Sequence, residues 1–167
     1  IYAKMVPAVR TYTVNHYVME TDGQYSGMPT ATDANQPTYT DAVLTLADLV
    51  NEDLLVPNGI VYKEGKAGSG TVVATYQITA GGDVIINLYY ERKQYDLRWD
   101  FNGGTPGGEY TAEGKVRYGA PITAPTLTKT GYHYSWDTEP DTMPAHDVTY
   151  TANWTESDDI VYKVEYY

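Results

Sequence analysis

The segment Tyr95-Asp96-Leu97-Arg98-Trp99-Asp100-Phe101 alternates apolar or aromatic side chains with charged ones, without a break. Successive side chains of a β-strand point to opposite faces, so the four apolar or aromatic side chains share one face and the three charged ones share the other. This pattern predicts a strand with one face on a core and the other in water.

Three further stretches show the same period of two. Residues 71–79 and 83–91 are predicted as strands joined by a hairpin turn at Ala80-Gly81-Gly82-Asp83. Residues 148–154 are predicted as another strand. The inward side chains on these strands are Val72, Ala74, Tyr76, Ile78, Val84, Ile86, Leu88, Tyr90, Tyr150, Ala152 and Trp154. Strand signals dominate, so the predicted fold class is mainly β.

Helical periodicity is confined to residues 45–54. Thr45 is a candidate N-cap, and Asp48 at the third helical position completes a weaker form of the capping box. Apolar residues at helical spacing then follow on one side, and Pro57-Asn58-Gly59 supplies turn chemistry after them. The sequence therefore predicts one short helix.

A repeated frame divides the chain. Tyr12-Thr13-Val14-Asn15-His16-Tyr17, Tyr95-Asp96-Leu97-Arg98-Trp99 and Tyr162-Lys163-Val164-Glu165-Tyr166 share Tyr, then Val or Leu, then a ring at alternate positions. Ile1, Ala3 and Met5 also match the inward face of residues 150–154. The predicted organisation is the end of a preceding repeat with a linker (1–10), two modules (11–92 and 93–155), and a linker with the first strand of a next repeat (156–167).

Composition excludes several classes of protein. The chain has 22 acidic and 11 basic residues, a net charge of −11, with no basic stripe, which argues against a nucleic-acid partner. It has no Cys, so disulfides and thiolate metal sites are excluded. No apolar run reaches the roughly 18 residues of a membrane-spanning helix, so no membrane insertion is expected in these residues.

The second module resembles the Listeria–Bacteroides B repeat, the internalin B-repeat type. Four motifs occur in the order of that family: Trp99-Asp100-Phe101-Asn102-Gly103-Gly104, Val116-Arg117-Tyr118-Gly119-Ala120-Pro121-Ile122, Gly131-Tyr132-His133-Tyr134-Ser135-Trp136, and the ending from Met143 to Trp154. The family usually has Gly where Ser135 stands. The first module is similar to the mucin-binding-protein (MucBP) repeat through Thr13-Val14-Asn15-His16-Tyr17, the Asp22-Gly23 turn and Asn87-Leu88-Tyr89-Tyr90-Glu91-Arg92.

These resemblances imply two β-grasp-like modules in tandem, each a curled sheet with at most one short helix. They also imply non-catalytic repeat modules of a Gram-positive surface protein, extracellular and attached to the cell wall through other regions. Two functions stay open: a stalk with adhesion to host mucin glycans or extracellular proteins, and a purely structural spacer. No catalytic, metal or cofactor-binding residue is predicted, no cofactor is expected, and any ligand-binding residues are unknown; neighbouring repeats of the same chain are expected partners.

Several residues that resemble functional motifs have simpler interpretations. His16 stands in the frame position of Trp99, so it is predicted to be buried and neutral and replaceable by Phe, and no carboxylate or second His is near it in sequence. His133 and His146 are interpreted as isolated. Gly65-Lys66-Ala67-Gly68-Ser69-Gly70 lacks the spacing of a phosphate loop and is predicted as a hairpin loop. Asp158-Asp159 is interpreted as solvated linker rather than a calcium site.

Two further expectations concern lysines and the C-terminal residues. Lys4, Lys63 and Lys163 fall in predicted strands, where an isopeptide crosslink is conceivable, but such lysines usually extend to solvent. Residues 160–167 carry strand chemistry without the rest of a module. A lone strand has an unpaired edge, so these residues are predicted to add to a neighbouring sheet.

Overall fold

The computed structural model describes residues 4–68, residues 70–158 and Glu165. Strands account for 49% of the residues and helical turns for 5%, with no helix of seven or more residues in the part described. The chain divides into two compact units, Ile1–Lys93 and Gln94–Tyr167. The prediction of a mainly β chain with two tandem, sheet-rich modules is therefore confirmed.

Unit 1 holds six described strands and two short 3-10 turns. The strands are β1 (Val9–Val18), β2 (Ala31–Tyr39), β3 (Val43–Thr45), β4 (Ile60–Ala67), β5 (Thr75–Gln77) and β6 (Val84–Arg92), and the 3-10 turns are Leu46–Leu49 and Glu52–Leu54. Four strands form the main sheet in the order β2-β1-β6-β4, and β3 pairs with β5 apart from it. In the main sheet β1 and β6 are parallel, and the outer pairs are antiparallel.

The core of unit 1 lies on one face of this sheet. Val14, Ile86 and Leu88 are buried, and Tyr90 continues the same face of β6. The predicted inward alternation of residues 84–90 is confirmed, because β6 keeps a strict period of two. Leu46 of the first 3-10 turn is fully buried as well, so this turn contributes to the core.

Unit 2 also holds six described strands. They are β7 (Gln94–Asp100), β8 (Thr105–Gly107), β9 (Gly114–Arg117), β10 (Thr126–Thr128), β11 (Tyr132–Trp136) and β12 (Val148–Glu156). The main sheet has the order β11-β12-β7-β9, and β8 pairs with β10. Its core consists of Leu97, Trp99, Ile122, Met143 and Tyr150. The predicted alternation of residues 95–101 and 148–154 is confirmed.

The two main sheets have the same topology. In each unit the first strand and the last strand lie side by side at the centre and run parallel, β1 with β6 and β7 with β12. In each unit an antiparallel strand flanks either side of this pair. A shared topology agrees with the repeated frame found in the sequence.

The predicted helix over residues 45–54 is wrong. Two 3-10 turns replace it, because Val50 between them is extended, with φ −64° and ψ 132°. The extended residue allows the Asn51 N–H to donate to the Tyr90 hydroxyl at 3.0 Å. Thr45 precedes the first turn without a side-chain cap, whereas Asn51 caps the second by accepting from the Asp53 N–H.

The predicted hairpin at residues 80–83 is also wrong. Only Thr75–Gln77 of residues 71–79 forms a strand, and it pairs with β3 rather than with β6. Val72, expected to face inward, is 53% exposed. Strand β6 instead pairs with β1 and β4, which are distant in sequence, and local alternation carries no information about such partners.

The terminal predictions have different outcomes. Strand β1 begins at Val9, inside the range 1–10 expected to be linker. Met5, expected to face inward, is 90% exposed, and Ile1 and Ala3 lie outside the described residues. The predicted strand over residues 160–167 also lies outside them, except for Glu165, so its pairing stays a prediction.

Candidate functional site

His16 occupies the centre of the unit 1 sheet. Its ring is fully buried, as predicted, and although no carboxylate is near it in sequence, the fold places one beside it. Nε2 is 2.9 Å from Oδ2 of Asp33, and Nδ1 is 2.8 Å from the hydroxyl of Tyr90. Asp33 comes from β2, whose pairing with β1 brings it beside His16.

The hydrogen-bond directions around His16 follow from Tyr90. The Tyr90 oxygen accepts from the Asn51 N–H, so its own proton is free to be donated to Nδ1. In the tautomer with the proton on Nε2, Nδ1 is the acceptor and Nε2–H donates to Asp33, so each ring nitrogen has a partner. Burial raises the pKa of Tyr90, an effect larger than the lowering by the Asn51 hydrogen bond.

The His16 and Tyr90 rings are closed to a substrate, although the Asp33 side chain is 49% exposed. Both rings are completely buried, and each ring nitrogen of His16 already has a partner. A carboxylate, an imidazole and a hydroxyl are the types of group used in nucleophilic catalysis, but the hydroxyl must reach a substrate. We therefore interpret Asp33, His16 and Tyr90 as an anchor that joins β2, β1 and β6.

The other histidines do not gather ligands. His133 Nε2 lies 3.0 Å from the Ser157 hydroxyl, and His146 Nδ1 lies 2.8 Å from the carbonyl of Asp147, both at the surface. Among the described residues no group of three His, Asp or Glu side chains is arranged to hold a metal ion. Asp158 is exposed, and Asp159 lies outside the described residues.

The lysines considered for a crosslink have separate environments. Lys63 Nζ is 3.5 Å from Oε2 of Glu91, and its side chain is 44% exposed, which is the surface ion pair expected of a strand lysine. Lys4 is exposed, and Lys163 lies outside the described residues. An isopeptide bond requires a shielded lysine, and the exposed positions of Lys4 and Lys63 do not provide one.

The glycine-rich segment 65–70 is only partly a loop. Gly65, Lys66 and Ala67 belong to β4, which corrects the predicted hairpin loop. A Cβ on Gly65 would lie 2.6 Å from Cδ2 of Leu46 and 2.9 Å from Cδ2 of Leu88, so core packing requires glycine there. Gly68, with φ +59°, supplies the turn.

Unit 2 carries an open cleft that the sequence interpretation missed. The cleft has a volume of about 520 Å³ and is lined by Gly103, Thr105, Leu127, Thr128, Lys129, Thr130 and Tyr132. Thr105 and Thr128 are directly paired between β8 and β10, so their side chains share a face. The alternating run Thr126-Leu127-Thr128-Lys129-Thr130 is the signal in the sequence that could have identified it.

Lys129 is held against aromatic rings at this cleft. Its Nζ lies 4.7 Å from the ring centroid of Tyr132 and 5.4 Å from that of Trp154, both within cation–π range. Among the described carboxylates none forms an ion pair with Lys129. Tyr132 is 38% exposed. The two rings thus place the ammonium group, and within the described part of the chain no carboxylate neutralises it.

The turn Asn102-Gly103-Gly104 builds one wall of the cleft. Asn102 and Gly103 have φ of 47° and 84°, in the left-handed region that favours Asn and Gly. A Cβ on Gly104 would collide with the indole of Trp154, and the Trp154 Nε1–H donates to the carbonyl of Phe101 at 3.1 Å. The motif therefore positions Trp154 under Lys129.

A tyrosine cluster lies on the outer face of the unit 1 sheet. Tyr17 stacks on Tyr89 with ring centroids 5.2 Å apart, and Tyr25 meets Tyr89 edge-on. Burial, followed by the charges of Glu91 and Glu64, raises the pKa of Tyr25. Lys66 lies over Tyr89 but also 3.5 Å from Glu64, so its charge is already paired.

Comparison with known proteins gives little support for a family. No protein-family model matches the chain, and no curated protein matches it. One similar solved structure comprises Streptococcal High Identity Repeats in Tandem (SHIRT) domains 3-4 from a cell surface protein. The identity is 18%, the match covers 88% of this chain and 99% of that chain, and the TM-score is 0.29. A score this low does not equate the two folds, so this similarity carries no argument about function.

The described residues also contain no helix with the length and apolar character that crossing a membrane requires.

Proposed function

We propose that this chain forms non-catalytic, extracellular repeat modules of a bacterial surface protein, which act as a stalk and carry a glycan-binding cleft. The resemblance of unit 2 to the B repeat and of unit 1 to the MucBP repeat, and the β-grasp-like assignment, belong to this proposal. So do the attachment to a Gram-positive cell wall through other regions and the partnership with neighbouring repeats.

The shared topology of the two units is the observation that carries the stalk function. Because the first and last strands of each unit are parallel neighbours, the chain enters at one end of the central pair and leaves at the other. A module of this kind spans at least the length of its paired strands, about 20 Å for the seven paired residues of unit 1. Modules joined in series therefore add length.

Scattering from tandem arrays tests the stalk. The chain is expressed as one, two and four copies in series, and the maximum dimension is measured by small-angle X-ray scattering. We expect the maximum dimension to increase in proportion to the number of copies. An increase that follows only the cube root of the mass would mean that the copies collapse on one another, which contradicts a stalk.

Surface labelling tests the proposed location. An antibody raised against this chain should label intact cells of the source organism, and protease added to those cells should remove the label. Labelling that appears only after the cells are made permeable would contradict an extracellular location.

Adhesion to glycans is the second function, and the Lys129 cleft favours it. An ammonium group that no described carboxylate pairs with is complementary to the carboxylate or sulfate of an acidic sugar, and Thr105 and Thr128 offer hydroxyls beside it. Tyr132 adds an aromatic surface at the rim. The cleft therefore has the groups that bind an acidic mucin-type glycan.

A glycan array with matched variants tests this cleft. We expect saturable binding to acidic glycans, its loss in Lys129→Ala, and its retention in Lys115→Ala, which removes another exposed lysine of the same unit. Binding unchanged in Lys129→Ala would remove the cleft as the site. A blank array would leave the spacer as the function.

A further inference from the structure

The parallel terminal strands determine how each unit responds to tension. A pull along the chain acts on the first residue of the first strand and on the last residue of the last strand. These two points lie at opposite ends of neighbouring strands, so the pull slides one strand along the other. All hydrogen bonds between the two strands then resist together. In an antiparallel pair pulled from its open end, they would break one after another.

The β1–β6 pair of unit 1 is long. It joins seven residues on each strand, from Tyr12 with Val84 to Val18 with Tyr90. Beyond the last of these pairs, the Met19 N–H donates to the carbonyl of Tyr90 at 2.9 Å. Backbone hydrogen bonding between the two strands therefore continues to the residue that follows β1.

Side chains reinforce the β1–β6 pair on both faces. On the core face the His16 ring bonds to the Tyr90 hydroxyl at 2.8 Å. On the outer face the Asn15 side-chain amide donates to Oδ1 of Asn87 at 3.3 Å, and Tyr17 stacks on Tyr89. Buried residues on the core face keep water from replacing the backbone bonds as they stretch.

The β7–β12 pair of unit 2 is shorter. It joins four residues on each strand, from Leu97 with Val148 to Asp100 with Thr151. One ring contact, Trp99 with Tyr150 at 5.3 Å, reinforces it across the pair. Three side-chain bonds extend it, from the Asp96 N–H to Asp147, from Asn102 to the carbonyl of Ala152 and from the Trp154 indole N–H to the carbonyl of Phe101.

We propose that the chain is a tension-bearing element in which the β1–β6 pair is the stronger mechanical clamp, so that unit 2 yields first. The biological use of this property rests on the proposed stalk function, but the clamp itself depends only on strand order and register. The force at which a unit unfolds depends on its rate of unfolding rather than on its equilibrium stability. The ranking of the units under force therefore follows from the number of bonds that must break together.

Single-molecule force spectroscopy on the full chain tests the proposal. With handles at the two termini we expect two unfolding events. Unit 1 has more chain between the ends of its terminal strands (Val9–Arg92) than unit 2 (Gln94–Glu156), so the released length identifies each event. The shorter release should come first, at the lower force. A longer release at the lower force would overturn the ranking.

A change of pulling direction provides the control. The chain has no Cys, so Tyr39→Cys on the exposed end of β2 accepts a single handle. Tyr39 pairs with Val9, and a pull between this handle and the N-terminus opens β1 from β2 one residue at a time. We expect unit 1 to yield at a several-fold lower force than between the termini. Equal forces in the two directions would refute the clamp, whether or not the tandem arrays prove extended.

Discussion

The two units build the same sheet from different side chains. Unit 1 centres on β1 and β6, with a buried histidine, a buried tyrosine and aliphatic residues. Unit 2 centres on β7 and β12, and it contains all three tryptophans of the chain, Trp99, Trp136 and Trp154. Both have the first and last strands in parallel at the centre. The two units thus share one strand order although their core residues differ. They also differ in the length of the central parallel pair, which is longer in unit 1.

The tryptophan distribution makes the comparison measurable. Tryptophan fluorescence reports on unit 2 alone, and the methyl resonances of Leu88 and Leu97 in NMR spectra report on the two units separately. In the intact chain these two probes show whether a change in one unit leaves the stability of the other unaffected.

The largest effect is expected from core truncation. Leu97 and Leu88 are both fully buried, one in each unit. Leu97→Ala should lower the free energy of unfolding of unit 2 by about 2–5 kcal/mol, because it leaves a cavity. In denaturant titration the Trp fluorescence transition should shift while the Leu88 resonances keep their midpoint. Leu88→Ala should give the reverse result, and a joint shift in either variant would mean that the units do not unfold separately.

His16→Phe is expected to destabilise unit 1 by about 1–3 kcal/mol, because it removes a buried hydrogen bond to Tyr90 and a partly buried one to Asp33, and leaves the Tyr90 proton without an acceptor. This expectation replaces the sequence-based one that Phe would be tolerated at this position. The Leu88 resonances measure it during denaturation. His146→Phe, an exposed histidine of unit 2, is the matched control. Stability equal to that of the unaltered chain would restore the sequence-based expectation.

Alkaline pH should distinguish the units. The pKa values of Tyr25, Tyr62 and Tyr90 in unit 1 and of Tyr150 in unit 2 are all raised, chiefly by burial. A raised pKa means that the unfolded chain loses its proton first, so stability is complete below the ordinary value of 10.0 and falls as the pH rises above it. Unit 1 should therefore lose stability more steeply than unit 2.

Denaturant titrations at increasing pH, followed by the Leu88 and Leu97 resonances, measure this difference. Tyr62→Phe removes one of the three groups from unit 1 and should make its decline less steep. A steeper decline of unit 2 would contradict the assignment of these groups.

The smallest effect is expected at the surface pair of Lys115 and Asp96. Lys115 Nζ lies 2.9 Å from Oδ1 of Asp96, and this hydrogen bond is the main reason that the pKa of Asp96 is lowered from 3.8. Lys115→Ala should leave the unfolding midpoint of unit 2 unchanged, because exposed pairs contribute little. The pKa of Asp96, followed by NMR, should rise towards its ordinary value. A large loss of stability would indicate a structural role for the pair.

Sequence reasoning succeeded where the signal was local and failed where it depended on distant partners. The alternation of β6, β7 and β12 was predicted correctly, because a half-buried strand imposes a period of two on its own residues. The hairpin at residues 80–83 was wrong, because β5 pairs with β3 and β6 with β1 and β4. The predicted helix over residues 45–54 was wrong, because the extended residue Val50 interrupts it and the Asn51 N–H donates to the Tyr90 hydroxyl.

The residues of the candidate site show the same difference between local signals and distant partners. The burial of His16 followed from its position in the repeated frame, but Asp33 and Tyr90 reach it only through the pairing of three strands. The contact of Lys129 with Tyr132 and Trp154 was not predicted either. Contacts across the sheet depend on register, which no single segment encodes.

The sequence by itself determined that this chain is mainly β, that it contains two modules, and which faces of its central strands are buried, because side-chain alternation is a property of each strand alone. Only the tertiary structure decided that the first and last strands of each unit lie parallel at its centre, and with what overlap. That choice depends on contacts between residues far apart in sequence, such as Val14 with Ile86. The proposed response to tension follows from that pairing.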